Sequence, residues 1–240
     1  MNAVRSIILS CEHAGNRVPS RYRSLFAASP GVLKSHRAVD IGIRPVAAHM
    51  AKLLDCPLCL YPWTRLLIDT NRTRRRSLFS AYSRGLPQAD REHVLETYYL
   101  PYRQALERAV GRYAEAGRAV HLSLHSFTTI FEGCVRNADI GLLYDPARTE
   151  EADFAKRLGP LLAERTGLRI RRNYPYAGRA DGMTSWLRRR FPQTRYLGIE
   201  IEFNQALLAE RRPKTLAEAV AAAVCQSCAD MGINSTQPRA

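Results

Sequence analysis

The sequence predicts one α/β domain in which a single sheet packs between helices, and three features lead to this prediction. The chain has 240 residues, of which 46% are hydrophobic, and this is enough for one sizeable core. Short apolar runs alternate with longer stretches of helical periodicity. Helical segments of about 10 to 15 residues between successive strands are typical of parallel crossover connections. We therefore expect residues 1–240 to form a single domain with an α/β sandwich architecture.

The first half of the chain supplies five elements of this pattern. The short run SIILSC is rich in β-forming residues, whereas GIRPVAAHMAKLL has apolar residues at helical spacing. A strand, a further apolar run and a long helix with one apolar face follow. In chain order these are SIILSC (6–11), GIRPVAAHMAKLL (42–54), CPLCLYP (56–62), TRLLIDTN (64–71) and a helix from about Asp90 to Ala116.

The second half repeats the alternation with three further helices between and after strands. No internal repeat or low-complexity linker interrupts it. In chain order we expect AVHLSLHS (119–126) and ADIGLLYD (138–145) as strands, a helix from about Glu150 to Arg165, LRIRRN (168–173) as a strand, a helix near TSWLRRRF (184–191), YLGIEIEF (196–203) as a strand, and a last helix from about Lys214 to Met231.

The charge of the chain is strongly basic, with a formal net charge of +14. Nearly all of the 36 basic residues are arginine, but only RTRRR (72–76) and RRR (188–190) are clustered, and no nucleic-acid recognition module is visible. A solvated basic surface is therefore favoured over nucleic-acid binding. No apolar run approaches the roughly 20 residues of a membrane span or forms the core of an export signal, so we expect a cytoplasmic protein without membrane contact.

Two pairs of cysteines superficially offer four zinc thiolates. They are CPLC, with Cys56 and Cys59, and CQSC, with Cys225 and Cys228. Structural zinc sites usually keep such pairs within roughly 15 to 20 residues, and these pairs are far apart. Because we expect a cytoplasmic chain, reduced buried thiols are the favoured interpretation.

Polar side chains gather where the predicted strands end. In open α/β sheets ligands bind at the carboxyl ends of the strands. His13 and His125 each come at such an end, and two imidazoles in equivalent positions suggest a metal site. The other polar residues in these positions are Glu12, Asp69, Asn71, Arg72, Ser126, Tyr144, Asp145, Glu200 and Glu202.

Six motifs in order resemble the N-formylglutamate amidohydrolase family over about residues 6–208. The resemblance implies a zinc-dependent hydrolase with the phosphorylase/hydrolase-like fold of zinc carboxypeptidases and aspartoacylases, a three-layer α/β sandwich with a mixed, mainly parallel sheet. The motifs are CEHAGNRVP (11–19), HRAVDIG (36–42), RLLIDTNR (65–72), LSLHSFT (122–128), GCVRNADIGLLYD (133–145) and LGIEIEFNQ (197–205).

The same resemblance implies that His13 and His125 bind the metal, Zn²⁺ or another divalent ion. The relatives' His-x-x-Glu ends here at Asn16, and an amide is a poor replacement for a carboxylate. Asp40 is our third ligand, because it lies near the start of the first helix, where a carboxylate gains about 0.3 to 1 kcal/mol from the helix dipole. A simple helix cap is the other interpretation of Asp40. Glu12 stays an alternative ligand, although we expect it on the opposite face of the strand from His13.

The substrate-binding and catalytic residues also follow from the resemblance. Asn71 and Arg72 match an Asn-Arg pair that binds the substrate carboxylate, which a guanidinium contacts through two parallel bonds. Arg136 would be a second clamp for a diacid, or one more surface arginine. Glu200 matches the general base, and Glu202 lies on the same face of its strand and could be mistaken for it.

The roles of the remaining histidines depend on their positions. His36 lies four residues before Asp40 and could carry protons there, or be a solvated surface residue. His49 and His93 are interpreted as structural. His121 shares a strand face with His125 but lies about 13 Å away along the strand, too far to bind the same metal.

The predicted function is metal-dependent cleavage of an N-formyl or N-acyl amino acid, such as N-formylglutamate, to formate or another carboxylate plus the amino acid, as in amino-acid catabolism. The expected partner is this small anionic substrate. Two alternatives remain open. One is an Arg-rich binding module for nucleic acid or an acidic partner on a degenerate hydrolase fold. The other is a zinc amidase or carboxypeptidase-like enzyme that acts on another acidic substrate.

Overall fold

The computed structural model describes residues 6–73 and 75–233 of the chain. Six strands form the main sheet in the order β2-β1-β3-β8-β6-β7. All neighbouring strands are parallel except β6 and β8, which are antiparallel. The predicted mixed, mainly parallel sheet is therefore confirmed. The strands are β1 (Ile7–Cys11), β2 (Leu58–Leu60), β3 (Ala119–Phe127), β4 (Ile130–Phe131), β5 (Cys134–Val135), β6 (Ile140–Leu143), β7 (Ile170–Arg172) and β8 (Tyr196–Asn204), of which β4 and β5 form a separate hairpin.

Helices cover both sides of this sheet, which completes the three-layer α/β sandwich. Helices α1, α5 and α8 pack together on one side, and α4 and α6 contact β3 from the other. The α-helices are α1 (Ile43–Leu54), α2 (Arg75–Leu78), α3 (Gln88–Val94), α4 (Leu100–Ala116), α5 (Thr149–Thr166), α6 (Met183–Arg188), α7 (Gln205–Glu210) and α8 (Pro213–Asp230), with 3₁₀ segments at Ser20–Phe26 and Pro30–Lys34.

The long helix predicted from about Asp90 to Ala116 is present as one helical stretch. It consists of α3, a π-helical turn at Leu95–Tyr99 and α4. The apolar run TRLLIDTN, by contrast, does not form a strand. Residues 64–71 lie in turns and loop. Its buried Leu67 and Ile68 pack against Tyr22 and Tyr61 in a second hydrophobic cluster away from the sheet. The run is apolar because it fills this second core.

The three central strands β1, β3 and β8 have two buried faces of opposite chemistry. Strict alternation places every second side chain on the same face. One face, called the apolar face here, joins the core beneath α1, α5 and α8; the other, called the polar face, carries hydroxyl, imidazole and carboxylate groups. The apolar face comprises Ile7, Leu9, Cys11, Val120, Leu122, Leu124, Leu197, Ile199, Ile201 and Phe203. The polar face comprises Ser10, His121, Ser123, His125, Glu200 and Glu202, and continues at Glu12 just after β1.

The hairpin formed by β4 and β5 follows β3 directly. Ile130 pairs with Val135, and the turn between the strands is formed by Glu132 (φ 49°) and Gly133 (φ 78°). Positive φ at both turn residues matches the right-handed twist of the two strands. All four residues that form the hairpin strands are exposed. The hairpin thus exposes apolar side chains to solvent.

The cysteines and the membrane prediction have simple outcomes. All six cysteines are free thiols, and burial raises the pKa of Cys56 and of Cys228 to about 12. Of the two predicted pairs, Cys228 is buried and Cys56, Cys59 and Cys225 are partly buried, whereas Cys134 is exposed on the hairpin. Within residues 6–73 and 75–233, no helix is long and apolar enough to cross a membrane. Of the basic cluster RTRRR, Arg74 and the side chains of residues 75 and 76 lie outside the described part of the chain.

Candidate metal centre

His13, Asp40 and His125 converge in one buried group. Potential ligand atoms of the three side chains all lie within 4.8 Å of one another. The Asp40 Oδ2 atom is 2.9 Å from His125 Nδ1 and 3.6 Å from His13 Nδ1. His13 follows β1 and His125 lies near the end of the adjacent parallel strand β3, so the two imidazoles meet at one edge of the sheet.

Asp40 reaches this edge from the segment that precedes α1. Its backbone N–H donates to the His13 carbonyl (3.0 Å), and its Oδ2 accepts the backbone N–H of Ser126 (3.1 Å). These bonds fix Asp40 between the two histidine segments. The helix itself begins three residues later at Ile43, after Gly42 in the left-handed region (φ 83°). The N-cap residue of the helix is Gly42, and the Asp40 carboxylate contacts His125 and Ser126 instead, so it is not a simple helix cap.

The Nε2 atom of each histidine contacts a second carboxylate. His13 Nε2 lies 2.8 Å from Asp69 Oδ1, and His125 Nε2 lies 3.1 Å from Glu12 Oε2. Histidines that bind metals usually donate their other ring N–H to such a partner, which fixes the tautomer and orients the ring. The Nδ1 atom of His125 is thereby directed toward Asp40, whereas Nδ1 of His13 lies 2.9 Å from Arg65 Nη1 and 3.6 Å from Asp40 Oδ2.

The other two candidates for the third ligand lie outside the group. Glu12 contacts the Nε2 side of His125 and accepts hydrogen bonds from Ser123 Oγ (2.7 Å) and Tyr102 Oη (3.2 Å). Asn16 is exposed and donates its amide to the Leu33 carbonyl (2.8 Å). The geometry therefore favours Asp40.

The electrostatics of the group are those of buried, ionised carboxylates. Burial opposes ionisation of Asp40, but His13 and Arg65 hold the pKa of its carboxyl well below the usual range. Burial likewise opposes ionisation of Glu12, but its hydrogen bond to His125 holds the pKa of the carboxyl below its usual range. Burial in turn would lower the pKa of His125, but hydrogen bonds to Asp40 and Glu12 raise it well above its ordinary value. His13 likewise holds the pKa of the Asp69 carboxyl below its usual range.

The donor set fits a divalent metal ion. Two imidazole nitrogens and one carboxylate oxygen, with a further position left for water or substrate, make up a common catalytic zinc site. The carboxylates of Asp40, Glu12 and Asp69 surround the two rings and favour positive charge between them. Within the described residues, this is the one group of three or more acidic, imidazole or thiol side chains that could hold a metal.

A cavity of about 170 Å³, called the inner cavity here, opens onto this group. Glu200 and Glu202 of β8 both line it. Glu200 Oε1 accepts a hydrogen bond from Thr184 Oγ1 (2.5 Å). Glu202 is the register partner of His125, and burial raises its pKa to about 7. Both carboxylates of the predicted strand therefore face the candidate metal group.

Asn71 and Arg72, the predicted substrate-binding pair, also line the inner cavity, but both make contacts within the protein. Asn71 Oδ1 accepts the backbone N–H of Met183 (2.6 Å), and its Nδ2 is 3.5 Å from His125 Nε2. Arg72 Nη1 donates to the Asp181 carbonyl (2.6 Å). The asparagine amide is thus used mainly to connect α6 to the site.

Arg136 lies apart from the metal group and is not among the residues that line the inner cavity. Its Cζ atom lies 5.7, 4.6 and 5.0 Å from the ring centroids of Phe127, Phe131 and Tyr176. It packs among these aromatic rings, so the structure does not bring its guanidinium to the metal group.

Two residues at the site were missed from the sequence. Arg65 Nη1 lies 2.9 Å from His13 Nδ1 and 3.4 Å from Asp40 Oδ1, and Thr184 positions Glu200. Nothing distinguishes Arg65 from the many other arginines in the sequence. Thr184 belongs to a helix whose alignment with β8 depends on the tertiary fold.

The other histidines have contacts of their own. The backbone carbonyl of His36 accepts a hydrogen bond from Arg65 Nη2 (2.5 Å). His121 is fully buried between Ser10 Oγ (2.7 Å) and Tyr196 Oη (2.8 Å), and burial lowers its pKa to about 4. It is a neutral, hydrogen-bonded member of the polar face, away from the metal group.

Comparisons with known proteins agree with this fold. The family model described as N-formylglutamate amidohydrolase matches residues 5–209. A solved gene product of Agrobacterium tumefaciens is 26% identical with a TM-score of 0.79, and the match covers 95% of this chain and 92% of that one. N-formylglutamate amidohydrolase from Ralstonia eutropha is 20% identical with a TM-score of 0.67, and the match covers 92% of each chain. A search of curated protein sequences gave no match.

Proposed function

The chain belongs to the N-formylglutamate amidohydrolase family, and from this membership we propose that it hydrolyses the amide bond of an N-formyl or other N-acyl amino acid at the group formed by His13, Asp40 and His125. The products are formate or another carboxylate and the free amino acid. The observation that carries the proposal is the buried convergence of these three side chains beside two carboxylates of β8.

A divalent metal, with zinc as our first choice, would be held by His13 Nδ1, an Asp40 carboxylate oxygen and His125 Nδ1. Such an ion supplies Lewis-acid polarisation of the scissile carbonyl and makes water at the site more acidic. Asp69 and Glu12 keep both imidazoles in the required orientation through their Nε2 atoms.

Glu200 is our proposed general base. It faces the inner cavity, and the hydrogen bond from Thr184 to Oε1 leaves Oε2 to accept a proton from water and to deliver it to the leaving nitrogen. Glu202 is the second candidate, because a pKa near 7 suits proton transfer near neutrality. Kinetics of Glu200→Gln and Glu202→Gln, with metal content measured for both, distinguish these two assignments.

Substrate charge would be met by arginine. Arg72 and Arg65 both line the inner cavity, next to the proposed metal ligands. A guanidinium can bind a carboxylate through two parallel charge-assisted bonds, and Arg72 is the proposed partner of the substrate α-carboxylate.

The test is metal analysis followed by a substrate panel. Purified protein is depleted with a chelator, reloaded with zinc, cobalt or manganese, and assayed with N-formyl and N-acetyl amino acids. We expect one ion per chain and hydrolysis that returns only with metal. Absence of metal binding, together with salt-sensitive retention on nucleic acid, would instead support the Arg-rich binding module.

A further inference from the structure

A second cavity of about 390 Å³, called the outer chamber here, lies beside the inner cavity. The two cavities share Arg65, Arg72, Ser126 and Tyr176 in their walls. A ligand at the metal group can therefore extend into the outer chamber. The chamber is more than twice as large as the inner cavity of about 170 Å³, so it offers room for a substantial additional group.

One wall of the outer chamber is aromatic. Phe127, Phe131 and Tyr176 line it, and Arg136 packs against all three rings from 4.6 to 5.7 Å. Phe127 is buried, but Phe131 is 47% exposed and Tyr176 43% exposed. Contacts between a guanidinium and aromatic faces are attractive and hold the rings in place. Large exposed aromatic side chains at the mouth of a cavity are typical of a ligand site.

The lining of the chamber also includes cationic side chains. Arg37, Arg65 and Arg72 contribute to its wall. Asp69 is the one carboxylate among the described lining residues, and it is already engaged with His13. The chamber therefore suits a molecule that combines an anionic group with an aromatic ring. A second carboxylate would gain little from Arg136, which packs among the rings of the aromatic wall.

We propose that the outer chamber binds an aromatic ring of the substrate against Phe131 and Tyr176, so that the preferred substrates are N-acyl amino acids that carry such a ring. The ring can belong to the amino-acid side chain or to the acyl group, and the two ring substrates of the test distinguish these cases. This inference rests on the proposed amidohydrolase function and names its substrate class.

The test compares kcat/KM of the metal-loaded protein for four substrates. N-formyl-L-phenylalanine has its ring on the amino acid and N-phenylacetyl-L-alanine on the acyl group; N-formyl-L-alanine and N-formyl-L-glutamate are the references. We expect at least one ring substrate to exceed both references about tenfold. Phe131→Ala should lower that advantage about tenfold, whereas Val135→Ala, an exposed residue of the same hairpin that does not line the chamber, should leave it within about twofold.

A preference for N-formylglutamate over both ring substrates would overturn the inference, as would an equal loss on all four substrates in Phe131→Ala. Binding of the products provides a readout that does not need turnover. By titration calorimetry, L-phenylalanine or phenylacetate should bind at least tenfold more tightly than L-alanine or acetate, and Phe131→Ala should abolish the difference. If no substrate is hydrolysed, the proposed function fails while this binding comparison still decides the inference; equal binding of ring and ring-free products would refute it.

Discussion

The two faces of strands β1, β3 and β8 are both removed from water, but they are held by different forces. The apolar face packs into one hydrophobic core beneath α1, α5 and α8. On the polar face, nearly every side chain has a partner, as in the contacts of His121 with Ser10 and Tyr196. Burying polar groups costs free energy, and pairing them only offsets this cost. Stability alone therefore does not explain a polar face inside a sheet.

The difference assigns separate roles to residues that alternate along one strand. In β3, Leu122 and Leu124 point into the apolar core, while Ser123 and His125 point into the site. Apolar burial supplies most of the driving force for folding. The polar face instead fixes the tautomer of the His125 ring and its distances to the partners that it contacts. Substitutions on the two faces should therefore separate stability from activity.

The largest effect is expected on the polar side of the site, from His13→Ala and His125→Ala. Each variant removes one of three proposed metal ligands. We expect loss of bound metal and a decrease in kcat of at least about 1,000-fold, with the circular dichroism spectrum unchanged. Elemental analysis of the purified variants measures the metal. Full metal content in either variant would show that the residue is not a ligand.

On the apolar face, Leu122→Ala should lower stability. Leu122 is completely buried, and truncation of such a side chain costs about 2 to 5 kcal/mol of the free energy of unfolding. Urea denaturation measures it, with Leu100→Ala as the control because Leu100 is 41% exposed. Metal stoichiometry of the folded Leu122→Ala protein should stay at the parent value. Loss of metal without loss of stability would contradict the division between the faces.

Arg72→Lys tests recognition beside the polar face. A lysine cannot make the planar two-bond contact, so kcat/KM for a formylated amino acid should fall by about 2 to 4 kcal/mol in free-energy terms. The corresponding amino-acid amide lacks the carboxylate, so its kcat/KM should change little between the parent and Arg72→Lys. The two substrates and two proteins together form a double cycle. Metal content is the control. Equal losses on both substrates would make Arg72 structural, consistent with its bond to the Asp181 carbonyl.

The finest distinction is between Asp40 and Glu12, two carboxylates on opposite nitrogens of His125. Glu12→Gln keeps a hydrogen-bonding group at Nε2 and should weaken metal binding about 10- to 100-fold, as expected for a residue that orients a ligand. Asp40→Asn removes a proposed ligand and should weaken it more. Competition with a chromophoric chelator measures both affinities. The reverse ranking would move the third ligand to Glu12.

Periodicity in the sequence predicted most of the sheet and helices, because strict alternation in HLSLH and GIEIE reports which face each residue occupies. The strand ends and the family resemblance predicted His13 and His125, and Asp40 joins them although the first helix begins only at Ile43. The run TRLLIDTN was misleading, since apolar residues fill a second core as readily as a strand. Arg65 and Phe131 could not be found, because their places at the cavities depend on contacts between distant parts of the chain.

The separation of the site residues along the chain has a consequence for folding kinetics. Ser123 and Glu12, which are hydrogen-bonded behind His125, are 111 residues apart in sequence. Pairing of β1 with β3 must therefore close a long loop before the imidazoles meet, and contacts of such high sequence separation form slowly. During synthesis His13 and Asp40 emerge long before β3. Acquisition of metal by a refolding chain would then report the late pairing of the central strands.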